Sequence, residues 1–252
     1  MSERLAADWV AYRERPARLG GGTTLWTVCT DGAPHRVLPD GCMDLIWNGD
    51  ELVVSGPDTR AFLTASPAGT TVAGVRFAPG IAPALLGVPA RELRDTRVAL
   101  ADLWSPARAR RLADRIARAP GLAYALESEA LELAGDRPAA LPLGGGTASA
   151  VASVRRGEAV PAVADALGLS ERQFHRRCLD AFGYGLKTLG RILRMTDALD
   201  LGRTGLPLAD VAIRTGYADQ AHLTRDIKAL TGLPPARLLL PDTEDFSRAQ
   251  AS

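Results

Sequence analysis

The sequence predicts an α+β N-terminal domain (a mainly antiparallel sheet plus helices) followed by an all-α domain of two helix-turn-helix units joined by a long helix. Three observations predict it. Short β-branched and aromatic runs, broken by Gly and Pro, fill the chain up to Gly80. A degenerate repeat with an offset of 48–49 residues fills the chain beyond Val151. Between them lies GDRPAALPLGGGTA, small-residue text with no periodicity, which reads as a linker.

In the first part, TTLWTVCT (23–30), DLIW (44–47), ELVVS (51–55) and GTTVAGVRF (69–77) read as strands. Asn48-Gly49-Asp50 is a hairpin turn between the second and third. Helices are expected at 83–86, 105–117 and 121–134. In the middle one, Leu112, Ile116 and Ala119 make an apolar stripe. The expected division is 1–135 for the N-terminal domain, 136–148 for the linker, 149–240 for the helical domain and 241–252 for a tail.

The two copies of the repeat are VADALGLSERQFHRRCLDAFGYGLKTL (163–189) and VAIRTGYADQAHLTRDIKALTGLPPARL (211–238). Val163-Ala164 match Val211-Ala212, and Gly168 matches Gly216. After a one-residue insertion in the second turn, Ser170 matches Asp219, Phe174 matches Leu223, Arg176 matches Arg225 and Gly183 matches Gly232. In each copy a short apolar helix ends at a glycine that tolerates positive φ. Ser170 or Asp219 then caps a second helix. That helix buries Phe174 and Cys178, or Leu223 and Ile227, and turns a polar face outward. Between the copies, residues 186–202 place apolar groups at i, i+3 and i+7, one long amphipathic helix.

The outward faces suit double-stranded DNA. The N-terminal half of such a helix enters the major groove and meets base edges. The first copy presents Glu171, Arg172, His175 and Arg176, and the second Gln220, Ala221, Thr224 and Arg225. Arg pairs with guanine O6 and N7, Gln with adenine, and Ala or Thr with a thymine methyl. The connecting helix sets the spacing between the copies. The first copy, richer in Arg, is expected to dominate base reading, and the second to position the protein. Asp226 puts a negative charge beside Arg225.

Composition supports an ordinary globular protein: 252 residues, 46% hydrophobic, 23% charged, with a mean hydropathy near zero. Net charge is +1, but residues 151–240 hold 13 Lys and Arg against 9 Asp and Glu, a mildly basic third. No apolar run is long enough for a membrane helix, and the N-terminus has no signal-peptide core. A cytoplasmic location is expected. Cys29, Cys42 and Cys178 form no zinc framework, and His35, Cys42 and Asp44 match no standard metal spacing. No cofactor is expected. GGG at 20–22 follows no strand in a phosphate-loop pattern.

The C-terminal text resembles the AraC/XylS family of bacterial transcription regulators. The resemblance runs from about Ser153 to Leu240 and is carried by Gly216-Tyr217, Asp219-Gln220, His222, Arg225, Lys228, Gly232 and Pro235, with LGLSERQFHRRCLDAFGYGLKTL agreeing in the first copy. Cys178, Leu223 and Ile227 stand where Phe is usual, and the Pro usual after the first unit is missing at Tyr184-Gly185-Leu186. HRVLPDGCMDLIWN (35–48), GVRFAPGIAPALLGVPARELRD (74–95) and VALADLW (98–104) resemble an uncharacterised sensor-like domain found ahead of such DNA-binding domains. The resemblance implies a regulator rather than an enzyme. It also implies control by a small effector or by homodimerisation, with RNA polymerase as a further candidate partner. Trp26 and Trp47 are candidate effector-pocket residues, weighed against an ordinary core role. The alternative is a DNA-targeted alkyl-transfer enzyme with a reactive N-terminal cysteine, which would need basic or metal-binding neighbours that Cys29 and Cys42 lack in the sequence.

Overall fold

The structure, a computed structural model, describes residues 12–136 and 142–240. The expected tail at 241–252 and part of the expected linker lie outside the described residues.

Strands β1 (Arg13–Pro16), β2 (Thr24–Cys29), β4 (Met43–Trp47), β5 (Leu52–Ser55), β7 (Thr71–Phe77) and β8 (Arg97–Ala99) form one antiparallel sheet in the order β1-β2-β7-β4-β5-β8. The four strands read from sequence are its interior. Strands β1 and β8 are its edges, where Arg and Pro are tolerated because one side needs no partner. The Asn48 side chain closes the β4–β5 hairpin, accepting from the Asp50 and Glu51 amides at 3.0 and 2.9 Å. A separate two-stranded ribbon pairs β3 (His35–Val37) with β6 (Phe62–Thr64).

Period-two alternation splits the main sheet. Leu25, Leu45, Trp47, Val54, Val75 and Phe77 pack into a core with Leu112, Ile116 and Leu126. Those helical residues come from α3 (Pro106–Arg118) and α4 (Leu122–Asp136), which follow α1 (Ala82–Leu86), a 3-10 turn at Ala90–Glu92 and α2 (Leu100–Leu103). The opposite sheet face carries Trp26, Val28, Val72 and Ile46 under the ribbon.

The second part is wholly helical: α5 (Gly146–Arg155), α6 (Val160–Ala166), α7 (Glu171–Phe182), α8 (Leu186–Arg203), α9 (Leu208–Arg214), α10 (Gln220–Thr231) and α11 (Pro235–Leu238). The linker expectation therefore needs trimming, because Asp136 ends α4 and residues 146–148 begin α5. The long helix expected over 186–202 is α8. Its 18 residues span about 27 Å at 1.5 Å each. Phe174, Cys178, Leu189, Ile192, Leu223 and Ile227 share one core.

That core does not stop at the linker. Leu38, just after β3, is buried inside it, and Ala61, just before β6, packs against it. The N-terminal domain thus plugs one end of its ribbon, through both strands, into the helical domain.

Candidate nucleic-acid interface

Both units are built as the repeat requires. Gly168 and Gly216 leave the first helices at φ 65 and 77. Ser170 accepts from the Gln173 amide at 3.3 Å and the Gln173 side chain returns to the Ser170 amide at 3.1 Å, a full capping box. Asp219 caps α10 by accepting from the His222 amide at 2.6 Å. Phe174 and Leu223, at equivalent places, are both 0% exposed.

All four candidate residues on α7 (Glu171, Arg172, His175, Arg176) are exposed, and so are Gln220, Ala221 and Arg225 on α10; Thr224 is half-buried. Arg172, Arg176 and Arg225 form no ion pair or hydrogen bond among the described residues. Arginines elsewhere are tied: Arg155 to Asp197, Arg191 to Asp226 and Arg115 to Glu129. The solvent-facing arginines of α7 and α10 are thus among those open to an anion. Ser170, Arg172, Gln173, His175 and Arg176 line a surface depression along α7. His175 lies against Gly185, whose added Cβ would stand 3.2 Å from the ring, so this side chain leans toward the start of α8. Glu171 opens α7, where a carboxylate also complements the helix dipole.

One expectation is corrected. Asp226 does not burden Arg225. It pairs with Arg191 of α8 and accepts from the Tyr217 hydroxyl at 3.3 Å. His222 sits edge-on to Tyr217 with centroids 5.2 Å apart and accepts from the Ala218 amide, a structural role.

The far ends of both helices are held by the N-terminal domain. Arg36 Nη1 donates to the Thr231 carbonyl at 2.9 Å, and the Ala61 amide donates to the Leu230 carbonyl at 2.7 Å. These are last-turn carbonyls of α10, which have no partner within the helix and lie at the negative end of its dipole. On α7, Asp180 pairs with Arg91 of the 3-10 turn. The αL cap Gly183 (φ 79) is so close to that region that a Cβ would stand 2.7 Å from Pro57 Cγ. These contacts, with the embedding of Leu38 and Ala61, were not legible in the sequence.

A family model described as a helix-turn-helix domain matches residues 163–239, spanning both units. The C-terminal part is an AraC-type helix-turn-helix DNA-binding domain. A second model, a domain of unknown function, matches residues 23–99. An AraC-type chain of this kind is a DNA-binding transcription regulator, and its family is non-enzymatic. No curated protein matches the sequence. Among solved structures, the C-terminal domain of AraT, a response regulator from Geobacillus stearothermophilus, is 21% identical over 38% of this chain and 88% of its own, with TM-score 0.34. An apo single-residue variant of ToxT from Vibrio cholerae is 12% identical over 87% of this chain and 97% of its own, with TM-score 0.47. Unsaturated fatty acid-bound wild-type ToxT from the same organism is 12% identical over 89% and 96%, with TM-score 0.45.

The other two candidate residues part company. Trp26 lines a cavity under the ribbon, whereas Trp47 lies on the opposite sheet face in the core. The cavity measures about 310 Å³. Of the cysteines, Cys178 is buried and its thiol is pushed up to about 12 by that burial, while Cys29 and Cys42 are half-buried. No group of three metal-capable side chains exists among the described residues, and no described helix is long and apolar enough to cross a membrane.

Proposed function

We propose that this regulator binds DNA sequence-specifically, with α7 as the principal base reader, α10 as the positioning helix, and a small effector acting through the N-terminal domain in the cytoplasm. The observation that carries the reading is the pair of exposed, unpaired arginines on α7, Arg172 and Arg176, one turn apart at the capped N-terminal half of the helix. Two hydrogen bonds from one guanidinium to guanine discriminate by about 1–3 kcal/mol. On α10, Ala221 and Thr224 offer only small contacts beside Arg225. Helix α8, about 27 Å long, is compatible with units set one DNA turn, roughly 34 Å, apart. Effector control is favoured over dimerisation because the cavity supplies a place for a ligand.

Selection of bound fragments from genomic DNA by the full chain tests the proposal. One enriched motif, with affinity falling steeply as salt rises, is the expected result. Binding with no enriched motif would remove the claim of sequence-specific reading.

A further inference from the structure

The cavity lies where two features of the fold meet. Its floor is the solvent-side face of the main sheet, and its roof is the β3–β6 ribbon, through His35, Val37, Phe62 and Thr64. At about 310 Å³ it is at the small end of ligand sites, roughly 300–1,000 Å³.

The floor is unusual chemically. Asp44 and Arg76 face into the cavity from β4 and β7, on strands whose other cavity-side residues are apolar or Gly. Arg76 is met by Asp44 at 3.3 Å, Asp40 at 3.4 Å and Glu14 at 3.8 Å, so three carboxylates surround one guanidinium. Arg97, at the other end, is matched by Asp58 through two bonds of 2.6 Å, and its charge also lies over the Phe62 ring at 4.0 Å. Both cations are therefore already paired with carboxylates, and among the described residues these four carboxylates outnumber the two guanidiniums. Burial pushes Asp44 up to about 6, with Arg76 pulling the other way and Asp40 adding to the rise.

The wall is aromatic. Tyr12 and Trp26 stack with centroids 6.1 Å apart. Trp26 fits only because position 74 is Gly, since a Cβ there would come within 2.3 Å of the indole. Trp26 is 7% exposed. An aromatic wall beside surplus carboxylate is the chemistry that holds organic cations.

We infer that this cavity binds a small lipophilic ammonium ion, its cationic head toward Asp44 and its apolar body against Tyr12 and Trp26, and that the ribbon carries its occupancy to α10. The inference rests on the effector-sensing reading above. The mechanical link is short. Alternate ribbon residues face opposite ways, so Val37 and Phe62 touch the cavity while Arg36, between His35 and Val37, reaches the Thr231 carbonyl. The neighbours Leu38 and Ala61 are set in or against the helical core. A ligand that shifts the roof shifts the groups that hold the last turn of α10.

The test uses the full chain and three probes of one body: 2-phenylethylammonium, 2-phenylethanol and 3-phenylpropanoate, titrated by calorimetry and followed by thermal melting. The ammonium is expected to bind at least about tenfold tighter than the other two and to raise the melting temperature. Thr64→Phe, which fills the roof, is expected to abolish binding without lowering the melting temperature of the free protein. Asp44→Asn, if it folds, is expected to lose the preference for charge. Bound ammonium is expected to change affinity for the selected DNA about fivefold or more, and Arg36→Ala to remove that change while leaving probe binding intact. Tighter binding of the carboxylate would overturn the ligand class and leave effector sensing standing. Binding of none of the three, by protein that still recognises its DNA motif, would overturn the site. Ammonium binding with no effect on DNA affinity would overturn the link to α10 and, with it, sensing through this cavity.

Discussion

The two helix-turn-helix units have the same skeleton and different attachments. Helix α7 ends against the 3-10 turn and the segment after β5, through Arg91–Asp180 and the Gly183–Pro57 contact. Helix α10 ends against the ribbon, through Arg36 and Ala61. The first unit's reading helix also offers two of the free candidate arginines, Arg172 and Arg176, against Arg225 alone on α10, while α8 engages the second unit through Arg191–Asp226 and through Arg194 over Tyr217 at 5.5 Å. A duplicated motif can thus be attached at two different places, which suits the proposed split between base reading by α7 and positioning by α10.

The comparison can be broken first at its shared core. Phe174→Ala is expected to cost about 3–5 kcal/mol and Leu223→Ala about 2–5 kcal/mol, since each empties a fully buried site. Denaturant unfolding of both variants checks this, and a near-neutral result for either would mean that its unit is not part of the single core. The units should separate in DNA reading. Arg172→Ala is expected to lose about 1–3 kcal/mol of discrimination at one base pair, and competition between matched and mismatched duplexes measures it. Arg225→Ala should instead weaken all sequences alike and lower the salt slope by about 1. At the attachments, Arg36→Ala removes a charged hydrogen bond worth about 1–3 kcal/mol. Hydrogen exchange should speed at the end of α10 and stay unchanged at the end of α7, and faster exchange at α7 would erase the distinction. The smallest effects are the caps: Ser170→Ala and Asp219→Ala should each cost about 1 kcal/mol, with the double exchange from the capping box making Ser170 the larger.

Much of this was legible. The capped helices, the glycine exits and the long α8 follow from local rules that a window of ten to twenty residues carries. Strands β2, β4, β5 and β7 were legible for the same reason. Strands β1, β3, β6 and β8 were not: RERP, HRV, FLT and RVA are three or four residues long and gain their pairing only from distant segments. The cavity left one faint signal, the polar Asp44 and Arg76 inside apolar strands. Asp226 shows the limit of reading charge along the chain, because its partner Arg191 stands 35 residues away on another helix.

The most direct test is to compare the motif selected from random DNA by the full chain with those selected by Arg172→Ala and Arg225→Ala. A blurred position with Arg172→Ala and an unchanged motif of lower affinity with Arg225→Ala is the predicted result. An unchanged motif with Arg172→Ala and a changed one with Arg225→Ala would contradict the division of labour between α7 and α10.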